Sequence, residues 1–255
     1  MSPKPVLAML LGFLAAAAVP LAAEPFSFVV VGDTTYSPPA DYPLYEKLIA
    51  AINGVSPVFT IHVGDTKGRG DCWKANRGSA DPVKILAVMR EVFWAKPESM
   101  GKARMPLVRQ ADADPAFPEF VENARWRHGG ATFATLNLAG SHNNQELRVE
   151  SSWQELIRRE EANVAWVKAT FAAAKAAGDR AIVLAFHPNP FKEEVRYENG
   201  PFDKPGVKHP NVTRLQTYGW PDMKAVRVSV DIGKRWVFGF EPVYADESVS
   251  TNPLK

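Results

Sequence analysis

The chain has one cysteine and almost no net charge, and each of these features excludes some structures or functions. Its 255 residues include a single cysteine, Cys72, so no disulfide can form within this sequence. Thirty basic residues nearly balance 28 acidic ones, giving a net charge of +2. That balance removes any electrostatic argument for nucleic-acid binding. Hydrophobic residues make up 46% of the chain, which is enough to bury the core of one domain.

The first residues have the pattern of a secretory signal peptide. Lys4 precedes an apolar run from Val6 to Ala18, and the small residues Ala22 and Ala23 follow it. We therefore predict a signal peptide over 1–23, one domain over 24–245 and a flexible polar tail over 246–255. The predicted location is secreted or periplasmic, with no stable membrane insertion after cleavage. An uncleaved N-terminal anchor is the alternative.

Two apolar segments of strand length each end in Gly-Asp. Phe26–Val31 leads to Gly32-Asp33, and Val58–Val63 leads to Gly64-Asp65. The strand–helix–strand order predicts a parallel pair, whose carboxyl ends meet at one sheet edge. Two carboxylates at that edge are suitable ligands for a divalent metal ion. Aspartates in ordinary turns are the alternative.

These motifs resemble those of the calcineurin-like metallophosphoesterases, including bacterial exported members. The matches are Gly32-Asp33, Gly64-Asp65-x-x-x-x-Gly70, and the apolar segment Ala181–Phe186 followed by His187-Pro188. The resemblance implies an α/β fold, a sandwich of mixed β-sheets flanked by helices. It also implies Asp33, Asp65 and His187 as metal ligands, with Asp65 bridging two ions. The implied cofactor is Mn, Fe or Zn, and the implied substrate is a small phosphoester.

The chain also departs from the family pattern. It has no Gly-Asn pair and no Gly-His-x-His motif, and Thr35 stands where the family usually has histidine. The roughly fifteen residues after Asp65 are too few for a strand and a crossover helix. We therefore expect a shortened fold with an incomplete metal site, holding one ion instead of two.

Further residues are candidates to line the site. Thr35 follows the first Gly-Asp pair, and His142 and Asn143 follow a predicted strand over Ala131–Leu138. Asn143 could supply an oxygen ligand, whereas His142 is either near the site or a hydrogen-bonded loop histidine. His62 is expected to face the core. No residue is assigned a catalytic role.

The remaining periodicity predicts helices and a hairpin. Helices are expected over Tyr42–Asn53, from an Asp81 N-cap to about Trp94, and over Ser152–Ala177, which Gly178 is expected to end. The last helix is expected to bury an apolar stripe: Trp153, Leu156, Ile157, Val164, Trp166, Val167 and Phe171. Val226–Val230 and Trp236–Phe240 predict a hairpin near the C-terminus.

Three hypotheses about function follow. The first is an exported metal-dependent phosphoesterase-like hydrolase with weak activity. The second is a non-catalytic relative that keeps the fold and binds a ligand or partner. The third is a damaged gene product that folds poorly. Whether the protein is an enzyme therefore stays open, and metal content together with a phosphatase assay distinguishes the three.

Overall fold

Two four-stranded sheets form the centre of the part of the chain that the structure describes. The computed structural model describes residues 24–32, 42–64, 81–139, 143, 149–187, 224–231 and 238–245. The predicted signal peptide over 1–23 and the tail over 246–255 lie outside these residues. The strands are β1 (Phe26–Val31), β2 (Thr60–His62), β3 (Val108–Arg109), β4 (Ala124–His128), β5 (Ala131–Thr135), β6 (Ala181–Ala185), β7 (Lys224–Val230) and β8 (Phe238–Tyr244).

Sheet 1 has the order β2-β1-β7-β8. β1 and β2 are parallel, which confirms the expected parallel pair, and their register places Val31 opposite His62. β7 runs antiparallel to both β1 and β8. The predicted hairpin is thereby confirmed, although its second strand continues to Tyr244, beyond the expected end at Phe240.

Sheet 2 has the order β3-β4-β5-β6. β4 and β5 form an antiparallel hairpin whose turn contains Gly129 and Gly130, both with positive φ. β5 and β6 are parallel and pair from Ala131↔Ala181 to Thr135↔Ala185. Both sheets therefore mix parallel and antiparallel pairs.

The two sheets pack face to face over an aromatic core. Phe28 and Phe59 come from the sheet 1 side, and Trp126 and Phe133 come from sheet 2. The Phe59 ring lies 5.1 Å from the Phe133 ring and 5.2 Å from the Trp126 ring, in both cases nearly edge to face. Each fully buried side chain of this size contributes roughly 1.5–3 kcal/mol to stability. This cluster therefore holds the two sheets together.

Helices cover the outer faces of the sheets. They are α1 (Tyr42–Gly54), α2 (Pro82–Phe93), the short α3 (Gln110–Ala113) and α4 (Glu150–Ala177). Helix α1 packs Leu48 and Ile52 on Val29 and Val31 of sheet 1. Helix α4 lies on sheet 2, where the Trp166 indole N–H approaches the Ala124 carbonyl at 3.5 Å. The described part of the chain is therefore a mixed α/β fold with two mixed sheets and helices outside them.

Two predicted helix ends are confirmed. The Asp81 carboxylate accepts a hydrogen bond from the Val83 N–H at 2.9 Å, and Pro82 is the first residue of α2. Gly178 ends α4 with φ +67°, and the Asp179 N–H donates to the Ala174 carbonyl at 3.0 Å. Such a left-handed residue satisfies the last carbonyls of the helix.

The prediction for the apolar stripe of α4 is wrong for four of its members. Trp153, Ile157, Val164 and Phe171 are between 39% and 57% exposed. The buried face instead contains Ser152, Arg159, Ala162, Asn163, Trp166, Thr170 and Ala174. The helix is rotated this way because its polar side chains bond to the segments that flank β4 and β5. No helix in the described ranges is both long and apolar enough to cross a membrane.

Candidate functional site

The two segments that lead to Gly-Asp end side by side. β1 and β2 pair in parallel up to Val31 and His62, and the Val63 N–H then donates to the Val31 carbonyl at 2.9 Å. Gly32 packs tightly against this second segment. A Cβ placed on Gly32 would lie 2.5 Å from Val63 Cγ2 and 3.2 Å from the Gly64 carbonyl oxygen. The backbones can approach this closely because residue 32 has no side chain.

The carboxyl ends of β5 and β6 lie at the same end of the sandwich. Phe26, the first residue of β1, packs edge to face on His128 at 4.5 Å between ring centroids. Its ring also lies against Gly129 in the turn that precedes β5. The amino ends of β1 and β5 are therefore together, so their carboxyl ends point the same way. β2 is parallel to β1, and β6 is parallel to β5. The carboxyl ends of all four strands therefore lie at the same end of the sandwich.

The sequence-predicted site residues follow these four strand ends, but most lie outside the described residues. The residues that lie outside the described part of the chain are Asp33, Thr35, Asp65 and His142. His187 is described, and it is half-buried two residues beyond the end of β6. Within the residues that the structure describes, no three histidine, cysteine, aspartate or glutamate side chains group closely enough to hold a metal ion.

Asn143 is described, and both the oxygen and the nitrogen of its side-chain amide make hydrogen bonds. Its Oδ1 accepts hydrogen bonds from the Arg159 guanidinium and from the Ala139 N–H, the latter at 3.2 Å. Its Nδ2 donates to the Glu160 carboxylate at 2.7 Å. The backbone is left-handed, with φ +53°, a conformation that asparagine adopts more readily than most residues. Because Oδ1 already has two donors, Asn143 anchors the loop and is a poor metal ligand.

Arg159 is the centre of this anchor. Its side chain is 0% exposed, and its Nε donates to the Glu155 carboxylate at 2.8 Å. The guanidinium also donates to the Asn143 carbonyl at 2.8 Å and to the Asn137 carbonyl at 3.3 Å. A buried charge requires this degree of pairing, because desolvation otherwise costs several kcal/mol. Helix α4 thereby fixes the segment that follows β5.

A second group of buried amides extends the anchor. The Asn163 amide donates to the Asn137 carbonyl at 2.8 Å, while the Asn137 N–H donates to Asn123 Oδ1 at 2.8 Å. Asn123 in turn donates to Gln110 Oε1 at 2.8 Å, and Gln110 donates to the Ala162 carbonyl at 2.9 Å. The chain beyond β5 is therefore tied to α3 and α4 before it reaches the loop around Asn143.

Two other histidines, His62 and His128, make contacts that stabilise the fold. His62 is 3% exposed, and its Nδ1 accepts the Gly64 N–H at 3.0 Å, while its ring stacks on Phe93 at 4.6 Å. Its Nδ1 is therefore committed to the turn that precedes Asp65. His128 packs edge to face against the rings of Phe26 and Phe59, and burial lowers its imidazole pKa below the usual 6.5.

Sequence reasoning missed the anchor residues. Glu155 and Arg159 have the i, i+4 spacing of an ordinary surface ion pair, and nothing in the spacing indicates burial. The buried amides come from four separate segments, so no local motif contains them. The one available signal was the high content of polar residues on the face of α4 opposite its apolar stripe.

The described residues thus define a class of architecture, a two-layer sandwich of mixed sheets with helices on both outer faces. Four of its strands end together at one edge. Comparison with protein-family models, curated proteins and solved structures gave no match.

Proposed function

We propose that this protein is an exported, metal-dependent phosphoesterase-like hydrolase whose site lies where β1, β2, β5 and β6 end. The observation that carries the proposal is the parallel pairing of Val31 with His62. It brings Gly32 and Gly64, the residues immediately before Asp33 and Asp65, to the same sheet edge. Ligand sites of open α/β sheets lie at such edges. The resemblance to calcineurin-like metallophosphoesterases supplies the reaction class.

The proposed ligands are Asp33, Asp65 and His187. Two carboxylates and one imidazole match the donor preference of Mn, Fe and Zn. When bound, such an ion lowers the pKa of a coordinated water and polarises a phosphoryl oxygen. The chain's own part in this proposal is to bring the two Gly-Asp segments side by side, which Gly32 permits because a Cβ there would overlap Val63 Cγ2.

We expect the activity to be weak and the metal content to be one ion instead of two. The sequence lacks the Gly-Asn and Gly-His-x-His motifs that would complete a two-metal site. Asn143 does not replace them, because its Oδ1 already accepts from Arg159 and Ala139. Loss of a single transition-state donor costs about 10²–10³ in rate.

A second candidate function is ligand binding without catalysis. The engagement of Asn143 favours it, because the amide oxygen that could have served as a further metal ligand already accepts from Arg159 and Ala139. In that case the purified protein folds and keeps its stability but does not hydrolyse phosphoesters. The assays below distinguish the two candidates.

The test uses the purified protein with Mn, Fe or Zn and an aryl phosphate monoester and diester. Asp65→Asn should weaken metal binding at least about tenfold, roughly 1.4 kcal/mol, because the amide has no charge. Asp112→Asn is the matched control, since Asp112 is exposed and paired with Arg109 at 2.7 Å. We expect slow hydrolysis that Asp33→Ala abolishes.

Two results would count against the proposal. Unchanged metal binding in Asp65→Asn contradicts the metal site. Fast hydrolysis that depends on both the metal and Asp33 contradicts the weak-activity part alone. Metal binding without any turnover supports the second candidate.

A further inference from the structure

Helix α4 presents an apolar stripe on the side away from sheet 2. We use this name for Trp153, Ile157, Val164 and Phe171, which are 39%, 57%, 52% and 51% exposed. At 100° per residue, these four positions fall within a narrow sector of the helix. A single exposed apolar residue is ordinary, but four on one face mark an interaction surface.

Three of the four stripe residues are placed symmetrically about Val164. Ile157 and Phe171 lie seven residues before and after it, which is nearly two turns in each direction. If two copies of α4 pack antiparallel about a two-fold axis at Val164, the two Val164 side chains face each other. Phe171 of one copy then faces Ile157 of the other. Trp153 lies about one turn further along the axis, opposite Lys175.

The charges along one edge of the stripe have the same symmetry. Glu161 lies three residues before Val164, and Lys168 lies four residues after it, on the same side of the helix. Both are exposed, Glu161 to 59%, and within one copy the Glu161 carboxylate lies 3.9 Å from the exposed Arg158 guanidinium. In the antiparallel pair, Glu161 of each copy faces Lys168 of the other. A parallel pair would instead place equal charges at the same height.

We propose that the apolar stripe binds a second copy of this chain, forming an antiparallel, two-fold symmetric pair of α4 helices. A two-fold contact uses the same patch on both subunits, so the patch must be self-complementary. Ile157, Val164 and Phe171 meet this condition, and so does the Glu161–Lys168 edge. One helix pair is small beside the roughly 1,200–2,000 Å² of stable complexes, so the dimer is weak and depends on concentration.

Sedimentation velocity of the purified protein over about 1 to 200 µM measures the monomer–dimer equilibrium. Val164→Glu places two like charges opposite each other at the axis and should raise the dissociation constant at least about tenfold. Ala169→Glu is the matched control. It adds the same charge at an exposed position about 140° around α4 from Val164, so it should leave the equilibrium unchanged.

Charge reversal and crosslinking test the geometry itself. Glu161→Lys and Lys168→Glu should each weaken the dimer, and the double variant should restore it. With Cys72→Ser as background, Val164→Cys should be joined between copies by a short bismaleimide, whereas Ala169→Cys should not. A protein that is monomeric at every concentration overturns the proposal. So does a dimer that tolerates Val164→Glu, or one whose double charge reversal fails to recover.

Discussion

Arg159 holds Asn143 by two atoms at once, because its guanidinium donates both to the side-chain Oδ1 and to the backbone carbonyl. The double contact fixes the position and the left-handed backbone of Asn143 together. Since Glu155 neutralises the buried cation from one turn earlier on α4, the anchor belongs to a rigid element. The loop after β5 therefore depends on a helix residue that lies outside the loop itself.

We predict that Arg159→Met lowers the free energy of unfolding by about 3–5 kcal/mol. The reason is that it leaves Glu155, which is 9% exposed, as an unpaired buried charge. The double variant Arg159→Met/Glu155→Leu should recover much of that loss. Urea denaturation gives the free energy of unfolding of the unmodified protein, the single variant and the double variant. Arg104→Met is the control, because the exposed Arg104–Glu98 pair should contribute less than about 1 kcal/mol. Equal losses in both single variants would contradict the burial argument.

Gly32→Ala should destabilise the protein by about 1–3 kcal/mol, because the new methyl group overlaps Val63 Cγ2. Val63→Ala removes that methyl group, so the double variant should be more stable than Gly32→Ala. Gly54→Ala is the control, since nothing lies within 4 Å of its added Cβ. Thermal unfolding gives the order of stability. A harmless Gly32→Ala would show that β1 and β2 can separate without cost at this point.

His128 should make stability depend on pH. Burial lowers its imidazole pKa in the folded state, so below about pH 6.5 the unfolded chain takes up a proton that the folded chain does not. Stability is therefore greatest above that pH and falls as the pH drops toward the folded-state pKa. His128→Phe keeps a ring against Phe26 and should reduce this slope. The measurement is the urea midpoint of both proteins between pH 7.5 and pH 5. Identical slopes would rule out His128 as the cause.

The mass of the exported protein tests the predicted signal peptide directly. Expression of the full chain in a bacterial host should give an exported protein that lacks residues 1–23, as measured by intact-protein mass spectrometry. Ala23→Phe should block the cleavage, because signal peptidases require a small residue there. Replacing Glu24 with Gln leaves the small residues in place and should have no effect. A soluble cytoplasmic protein with an intact Met1 would contradict the prediction.

Much of the fold followed from local patterns in the sequence. β1 was predicted with its observed bounds, and Asp81 and Gly178 cap their helices as expected. These features depend on a few neighbouring residues, which the sequence displays directly. β4 was missed, although Ala124, Trp126 and His128 alternate with two arginines as an amphipathic strand does.

The orientation of α4 could not be predicted in this way. Apolar periodicity favoured burial of Val164 and Phe171, whereas the structure buries Arg159 and Asn163. The difference arises because the partners of these polar residues come from distant segments, and hydrophobic pattern takes no account of them. The proposed ligands Asp33 and Asp65 stay predictions, although the strands that lead to them pair as expected.

The central pairing of sheet 1 also has a consequence for the order in which the protein can assemble. The Arg227 side chain bonds to Ser27 across 200 residues of sequence, where β7 lies against β1. Until β7 is available, one edge of β1 has no neighbour and the aromatic core lacks Val228 and Val230. Contacts this distant slow folding and expose strand edges in the meantime. A product of interrupted synthesis that ends before residue 224 should therefore not persist as a partial domain. We expect proteases to degrade it, or the unpaired edge of β1 to pair with a strand of another copy.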